Sequence, residues 1–106
     1  MSLREVIEGL LYQGRHEEII YTINVSAWDD APADDSEFSA YDNTNNAWLD
    51  VTTTILNSTS GDTVGTTITT PTIQNLSPDH LYQICCKFTG GDSNVYECYF
   101  RILGEY

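Results

Sequence analysis

The amino-acid sequence predicts an all-β domain, an antiparallel β-sandwich of about seven short strands. Apolar and polar residues alternate with period two in several segments, and β-branched and aromatic residues are concentrated in those segments. Turn-forming residues separate the segments, and no central segment has a helical pattern. The 106 residues are too few for two ordinary hydrophobic cores, so we expect one domain spanning 1–106.

The N-terminal segment supports two interpretations. Residues 1–8 fit a loosely ordered or helical extension, whereas GLLYQ fits an edge strand, and we favour the strand. The residues with helical spacing are Leu3, Val6, Ile7, Leu10 and Leu11.

The segment EIIYTINVSAW predicts a strand with one buried face. Two sets of side chains alternate in it, one being Ile19, Tyr21, Ile23 and Val25 and the other Ile20, Thr22, Asn24 and Ser26. The acidic DDAPADDSEF that follows contains a proline and predicts an exposed loop.

Two extended segments are expected in the middle of the chain. AWLDVTTTIL is rich in β-branched residues and predicts a half-buried strand. In GTTITTPTIQNL, Ile68 and Ile73 are apolar anchors, and Pro71 predicts that the strand lies at a sheet edge or is broken there.

The segments LYQICCKF and VYECYFRIL predict a hairpin closed by TGGDSN. Pairing Phe88 with Tyr96 places Lys87 opposite Glu97 and buries every large apolar side chain on one face. The predicted inward set is Tyr82, Ile84, Cys86, Phe88, Tyr96, Cys98, Phe100 and Ile102, and the outward set is Gln83, Cys85, Lys87, Glu97, Tyr99 and Arg101.

The three cysteines have no CxxC spacing and no paired histidines, so neither a zinc site nor a disulfide framework is expected. In the predicted register Cys86 lies opposite Cys98 as a pair of buried free thiols, and Cys85 is the exposed, reactive one. A reducing compartment fits this pattern best.

The net charge of −12 argues against nucleic acid and anionic membrane surfaces as partners. No apolar stretch is long enough for a membrane span, and MSLREVIEGLL lacks the uninterrupted apolar core of a signal peptide. We therefore expect a soluble protein.

The acidic segment 29–50 raises the question of calcium binding. The candidate ligands are Asp29, Asp30, Asp34 and Asp35, but a solvated acidic loop is the simpler interpretation. The EF-hand-like DNTNNAWLDVTT fails, because Ala47 and Thr53 replace the required glycine and glutamate. We expect no metal and no other cofactor.

No residues form a recognisable catalytic set. His16 and His80 lack a serine elbow or a suitably spaced cysteine, and the acids lie mainly in loops. We therefore expect no enzyme. Trp48 is assigned to the core, and Trp28 is left open between core and surface.

The segment NLSPDHLY resembles the tyrosine corner of fibronectin type III and related immunoglobulin-like sandwiches. Leu76, Pro78 and Tyr82 carry the resemblance, which departs from the family at Asp79, where glycine is usual. It implies an immunoglobulin-like fold in which the Tyr82 hydroxyl bonds to the backbone a few residues upstream.

Most of the chain also resembles small uncharacterised proteins of tailed phages and prophages. The matching residues are Tyr21, Ser26, Trp28, Tyr82, Glu97 and Phe100. This resemblance implies a non-catalytic structural or interaction module of a virion, associated with the tail or its fibres and present in host cytoplasm before assembly. Its partners would be other virion subunits or copies of itself. The alternative is an adhesion or carbohydrate-binding module of a microbial surface protein.

Overall fold

The protein is an all-β domain built from two sheets. The computed structural model describes residues 3–25, 36–91 and 93–106, with residues 3–9 as backbone only. In these residues the strands are β1 (Leu3–Gly14), β2 (Thr22–Asn24), β3 (Glu37–Asp42), β4 (Leu49–Asp50), β5 (Asp62–Val64), β6 (Thr67–Thr69), β7 (Leu81–Thr89) and β8 (Val95–Glu105). A 3-10 turn spans Thr44–Asn46, and helix α1 spans Thr52–Ile55.

The two sheets differ in size and in strand direction. The large sheet has the order β1-β8-β7-β3-β4, and the small sheet has the order β2-β6-β5. All the pairings are antiparallel except that of β1 with β8, which is parallel. The expectation of a purely antiparallel fold is therefore wrong for the large sheet. The strand interpretation of the N-terminus is confirmed, and the helical alternative is wrong for residues 3–8.

The final hairpin has the predicted register. Phe88 pairs with Tyr96, Lys87 with Glu97 and Cys86 with Cys98. The side chains of the inner row lie in the core, with Ile84, Phe100 and Ile102 fully buried, except that Tyr96 is partly buried and packs against it. Period-two alternation fixes this register because a slip by one residue would move the whole apolar row to the other face.

Both sheets supply the core. The small sheet contributes Ile23 and Ile68, and the large sheet contributes aromatic and aliphatic residues of β3, β7 and β8. Ile73 is buried as expected, and β6 ends at Thr69, before Pro71. The proline therefore interrupts the strand, in agreement with the second of the two predicted outcomes.

The threonine-rich segment AWLDVTTTIL is not a strand along its length, which corrects the sequence prediction. Asp50 Oδ1 accepts hydrogen bonds from the backbone N–H of Thr52, at 3.0 Å, and from its hydroxyl, at 2.7 Å. This local bonding ends β4 and starts α1, whose last residue, Ile55, is buried. Local side-chain bonding thus outweighs the β propensity of the threonines.

A bend before β7 contains the residues of the NLSPDHLY motif. Leu76 and Tyr82 are buried, and Pro78 is half-buried. The N–H of Ser77 donates to the Tyr82 hydroxyl at 2.8 Å. Asp79 has φ of 65°, in the left-handed region that aspartate tolerates better than most residues. The departure from glycine at this position is therefore compatible with the bend.

Candidate functional site

A cleft of about 440 Å³ lies on the outer face of the large sheet, the face turned away from the core. We call it the outer cleft. It is lined by Glu37, Ser39 and Tyr41 of β3, Gln83, Cys85, Cys86 and Lys87 of β7, Glu97 of β8, and Trp48.

Strand alternation places these side chains outside the core, except that of Cys86, which faces inward. In β3, Phe38 and Ala40 are buried, so Glu37, Ser39 and Tyr41 point to the opposite face. The pairing of β3 with β7 then sets Ser39 beside Cys85 and Tyr41 beside Gln83. The sequence prediction missed β3 because Glu37 and Phe38 were assigned to the acidic loop. The alternation in EFSAYD was the signal that would have revealed it.

Trp48 stands at one end of the outer cleft and is not a core residue, which corrects the sequence assignment. Its side chain is 50% exposed and meets the Tyr41 ring edge-on, with the ring centroids 6.1 Å apart. Its backbone has φ of 49°, and Asn45 and Asn46 also have positive φ. For a bulky residue this conformation is strained, by about 1–3 kcal/mol. The fold therefore holds a tryptophan where neither burial nor backbone preference favours one.

Gln83 forms part of the floor of the outer cleft and is 7% exposed, although the sequence predicts an outward-facing side chain. The outward direction is correct, but the walls of the cleft cover the residue. Its amide Nε2 donates to Cys85 Sγ at 3.8 Å, a contact with a weak acceptor. In the described part of the chain, no hydrogen bond reaches the Gln83 side-chain oxygen. The oxygen is not itself fully buried, so it opens onto the outer cleft, where water or a ligand can bond to it.

Charged side chains form the other end of the outer cleft. In the strand register Lys87 of β7 lies opposite Glu97 of β8 on one side and opposite Glu37 of β3 on the other, so the three residues form one row across the sheet. In the part of the chain that the structure describes, Lys87 makes no ion pair with either glutamate. The row carries one positive and two negative groups, so this end has a net negative charge.

His80 is not unaccompanied, as the sequence suggested, but pairs with Asp42 outside the outer cleft. His80 Nδ1 lies 2.6 Å from Asp42 Oδ2, and Thr44 Oγ1 donates to Asp42 Oδ1 at 2.6 Å. Burial raises the pKa of Asp42, but hydrogen bonds from Thr44 and His80 outweigh it and lower the pKa. Thr44 Oγ1 also accepts from the Leu81 N–H, so the cluster ties the end of β3 to the start of β7.

The calcium candidates Asp29, Asp30, Asp34 and Asp35 lie outside the described residues, as do Trp28 and Ser26. Among the residues that the structure describes, no three His, Cys, Asp or Glu side chains are grouped to hold a metal ion. The same residues contain no helix that is long and apolar enough to cross a membrane.

Alkylation of the native protein is expected to modify Cys85 slowly and Cys86 and Cys98 hardly at all. Cys86 and Cys98 are buried, whereas Cys85 is partly exposed. Burial raises the pKa of the Cys85 thiol, the nearby Glu97 adds to this, and the hydrogen bond from Gln83 opposes it. Little thiolate therefore forms at neutral pH, and the Cys85 rate should rise steadily as the pH passes the range of an ordinary thiol.

Mass spectrometry after timed iodoacetamide treatment measures the three rates, with urea-unfolded protein as the control. If Cys98 were labelled as fast as Cys85, the assignment of Cys98 to the buried face of the sheet and of Cys85 to the outer face would be wrong.

The outer cleft therefore combines an exposed aromatic corner, an amide that faces the cleft and a row of charges on one sheet. This combination suits non-covalent recognition. No protein-family model matches the chain, and no curated protein sequence matches it.

Proposed function

We propose that the protein is a non-catalytic interaction module of a phage or prophage virion, associated with the tail or its fibres, and that the outer cleft is its binding surface. The observation that carries this proposal is the strained and half-exposed Trp48. Exposed aromatic side chains at the mouth of a pocket are favoured anchors for protein partners. Strain that the fold does not need points to a role in binding.

The strand order supports an immunoglobulin-like or fibronectin type III-like fold. With β7 and β8 as the last hairpin, the order β8-β7-β3-β4 matches the G-F-C-C′ arrangement of immunoglobulin sheets. The order β2-β6-β5 matches B-E-D in the facing sheet. Tyr82 near the start of β7, bonded to the Ser77 N–H, fits the tyrosine corner at the penultimate strand.

The virion assignment draws on the sequence resemblance to phage proteins. Tyr21, Tyr82, Glu97 and Phe100 are the matching residues within the described structure. Tyr82 and Phe100 are core residues, and Glu97 lines the outer cleft. The resemblance thus covers one surface position as well as the framework, which favours other virion subunits as partners.

Replacing Trp48 with glycine is expected to abolish incorporation of the protein into particles while leaving the domain as stable as before, or more stable by about 1 kcal/mol. Glycine adopts φ of 49° without strain, and the change removes the exposed aromatic anchor. The measurements are the melting temperature of the purified domain and its abundance in purified particles.

The matched control is Val64→Ala, because Val64 is an exposed apolar residue of β5 in the other sheet. This variant should be incorporated normally. Particles that form and infect without the protein would contradict a structural role, and normal incorporation of Trp48→Gly would contradict the outer cleft as the binding surface.

A carbohydrate-binding module of a microbial surface protein is the second candidate. The exposed Trp48 ring lies in the same cleft as the polar Ser39 and Gln83, a combination that also suits a sugar ring. A screen of immobilised glycans would favour this function if binding of a neutral glycan were lost in Trp48→Gly.

A further inference from the structure

We infer that the outer cleft binds an extended basic segment of a partner protein, with two arginine or lysine side chains four positions apart. One cation stacks on Trp48, and the other sits between Glu37 and Glu97. This inference rests on the proposed function and specifies the chemistry of its partner.

The length of the outer cleft sets the spacing of the two cations. Tyr41, beside Trp48, and Glu37 are four residues apart in β3, which corresponds to about 13 Å along the strand. An extended segment of five residues has the same length, and its first and fifth side chains point to the same face. A spacing of three positions would turn one of the two cations away from the sheet.

The row of Glu37, Lys87 and Glu97 favours a cation at the end of the outer cleft that is distant from Trp48. Glu37 and Glu97 flank Lys87 on neighbouring strands, so their attachment points are about 10 Å apart. A guanidinium group that enters between them can bond to either carboxylate. Lys87 competes for the same carboxylates, but its exposed, flexible side chain is free to turn towards solvent.

The rings of Trp48 and Tyr41 favour a second cation at their own end of the outer cleft. Tryptophan is the strongest aromatic partner for a cation, and the Trp48 ring is half exposed beside Tyr41. Asp50, paired with Tyr41 across β3 and β4, adds a negative charge next to this corner. Hydrogen bonds from Thr52 lower the pKa of Asp50. The carboxylate is therefore charged over the whole neutral range.

Gln83 gives the middle of the outer cleft a partner for the peptide backbone. Its side-chain oxygen has no hydrogen bond within the described residues, and the residue is nearly buried. This oxygen is not itself fully buried, so a backbone N–H of the bound segment can reach it and take the place of water there.

The overall charge selects a basic partner over a second copy of the chain. Two copies with a net charge of −12 each repel one another, whereas the same field attracts a basic segment and speeds its association.

The test is a titration of the full chain with three synthetic peptides, followed by NMR at the Trp48 indole N–H, whose signal the Trp48→Gly variant assigns. The first peptide has arginine at positions one and five with serine between. The second has the same composition with arginine at positions one and four, and the third has citrulline in place of both arginines.

We expect the first peptide to bind about fivefold more tightly than the second and at least about tenfold more tightly than the citrulline peptide. The double variant Glu37→Gln plus Glu97→Gln should lose about tenfold in affinity and most of the salt dependence. Lys87→Gln should bind about threefold more tightly, because it removes the competing cation.

Equal affinity for the arginine and citrulline peptides, or weaker binding by Lys87→Gln, would overturn the inference. Absence of any binding up to about 10 mM would overturn it too, and so would a neutral glycan that alone shifts the Trp48 signal. If Trp48→Gly still blocks incorporation into particles in those cases, the proposed function stands with a different ligand. If the peptides bind as expected but Trp48→Gly is incorporated normally, the inference on the cleft stands and the virion role is wrong.

Discussion

Replacing Gly104 with alanine is expected to lower the free energy of unfolding by about 3 kcal/mol, and the melting temperature by more than about 10 °C. Gly104 lies near the end of β8, where its N–H donates to the His80 carbonyl and its carbonyl accepts from the Asp79 N–H. A Cβ at this position would overlap the carbonyl oxygen of Ser77. A backbone atom cannot swing aside as a flexible side chain does, so the bend before β7 has to move.

Movement of that bend would also disturb the hydrogen bond from Ser77 to Tyr82. Thermal and urea unfolding measure the effect. The control is Gly65→Ala, where nothing lies near the added Cβ but φ is 59°. That change should cost only about 1 kcal/mol through backbone strain. A cost for Gly104→Ala no greater than for Gly65→Ala would contradict the close approach of β8 to the bend.

The parts of the fold that the sequence predicted are those governed by local alternation. The register of β7 and β8 follows from two apolar rows joined by a short loop, so the sequence alone predicts the pairing of Cys86 with Cys98. The buried positions Ile23 and Val25 follow from the same period. In these segments the residue pattern and the final environment agree.

The errors occur where long-range contacts decide the structure. β1 pairs in parallel with β8, and no pattern within residues 3–14 encodes a partner some ninety positions away. Trp48 is a large apolar residue of the kind that usually lies in a core. The positive φ values of Asn45, Asn46 and Trp48 turn its side chain towards solvent instead. The outer cleft escaped prediction for the same reason, since it joins residues of three strands and a loop.

Two buried glutamines show what the sequence could not distinguish. Gln13 of β1 and Gln83 of β7 are both nearly inaccessible to solvent, and neither was assigned to the interior. Their hydrogen bonds differ. Gln13 Nε2 donates to the Ile73 carbonyl at 2.7 Å and to the Glu17 carbonyl at 3.1 Å, whereas Gln83 Nε2 reaches only a sulfur.

The replacement Gln13→Leu is expected to lower the free energy of unfolding by about 3 kcal/mol. The Tyr21 hydroxyl donates to Gln13 Oε1 at 2.8 Å, so this change leaves the phenol without its acceptor. It also removes the side-chain hydrogen bonds to the Ile73 and Glu17 carbonyls, of which the Ile73 carbonyl keeps only the Ile19 N–H. Burial, reinforced by Glu17, raises the pKa of Tyr21. The phenol is therefore neutral and cannot compensate by ionising, and its hydroxyl has to find water at the edge of the core.

The matched replacement Gln83→Leu is expected to change stability by less than about 0.5 kcal/mol, because it removes a weak contact with Cys85 and buries an apolar group of similar size. Urea unfolding of both variants gives the comparison. Gln83→Leu should instead weaken binding of the diarginine peptide several-fold, since its side-chain oxygen is the acceptor in the middle of the outer cleft. A loss of stability in Gln83→Leu equal to that in Gln13→Leu would show that Gln83 supports the fold, and its cleft-facing amide would no longer point to a ligand.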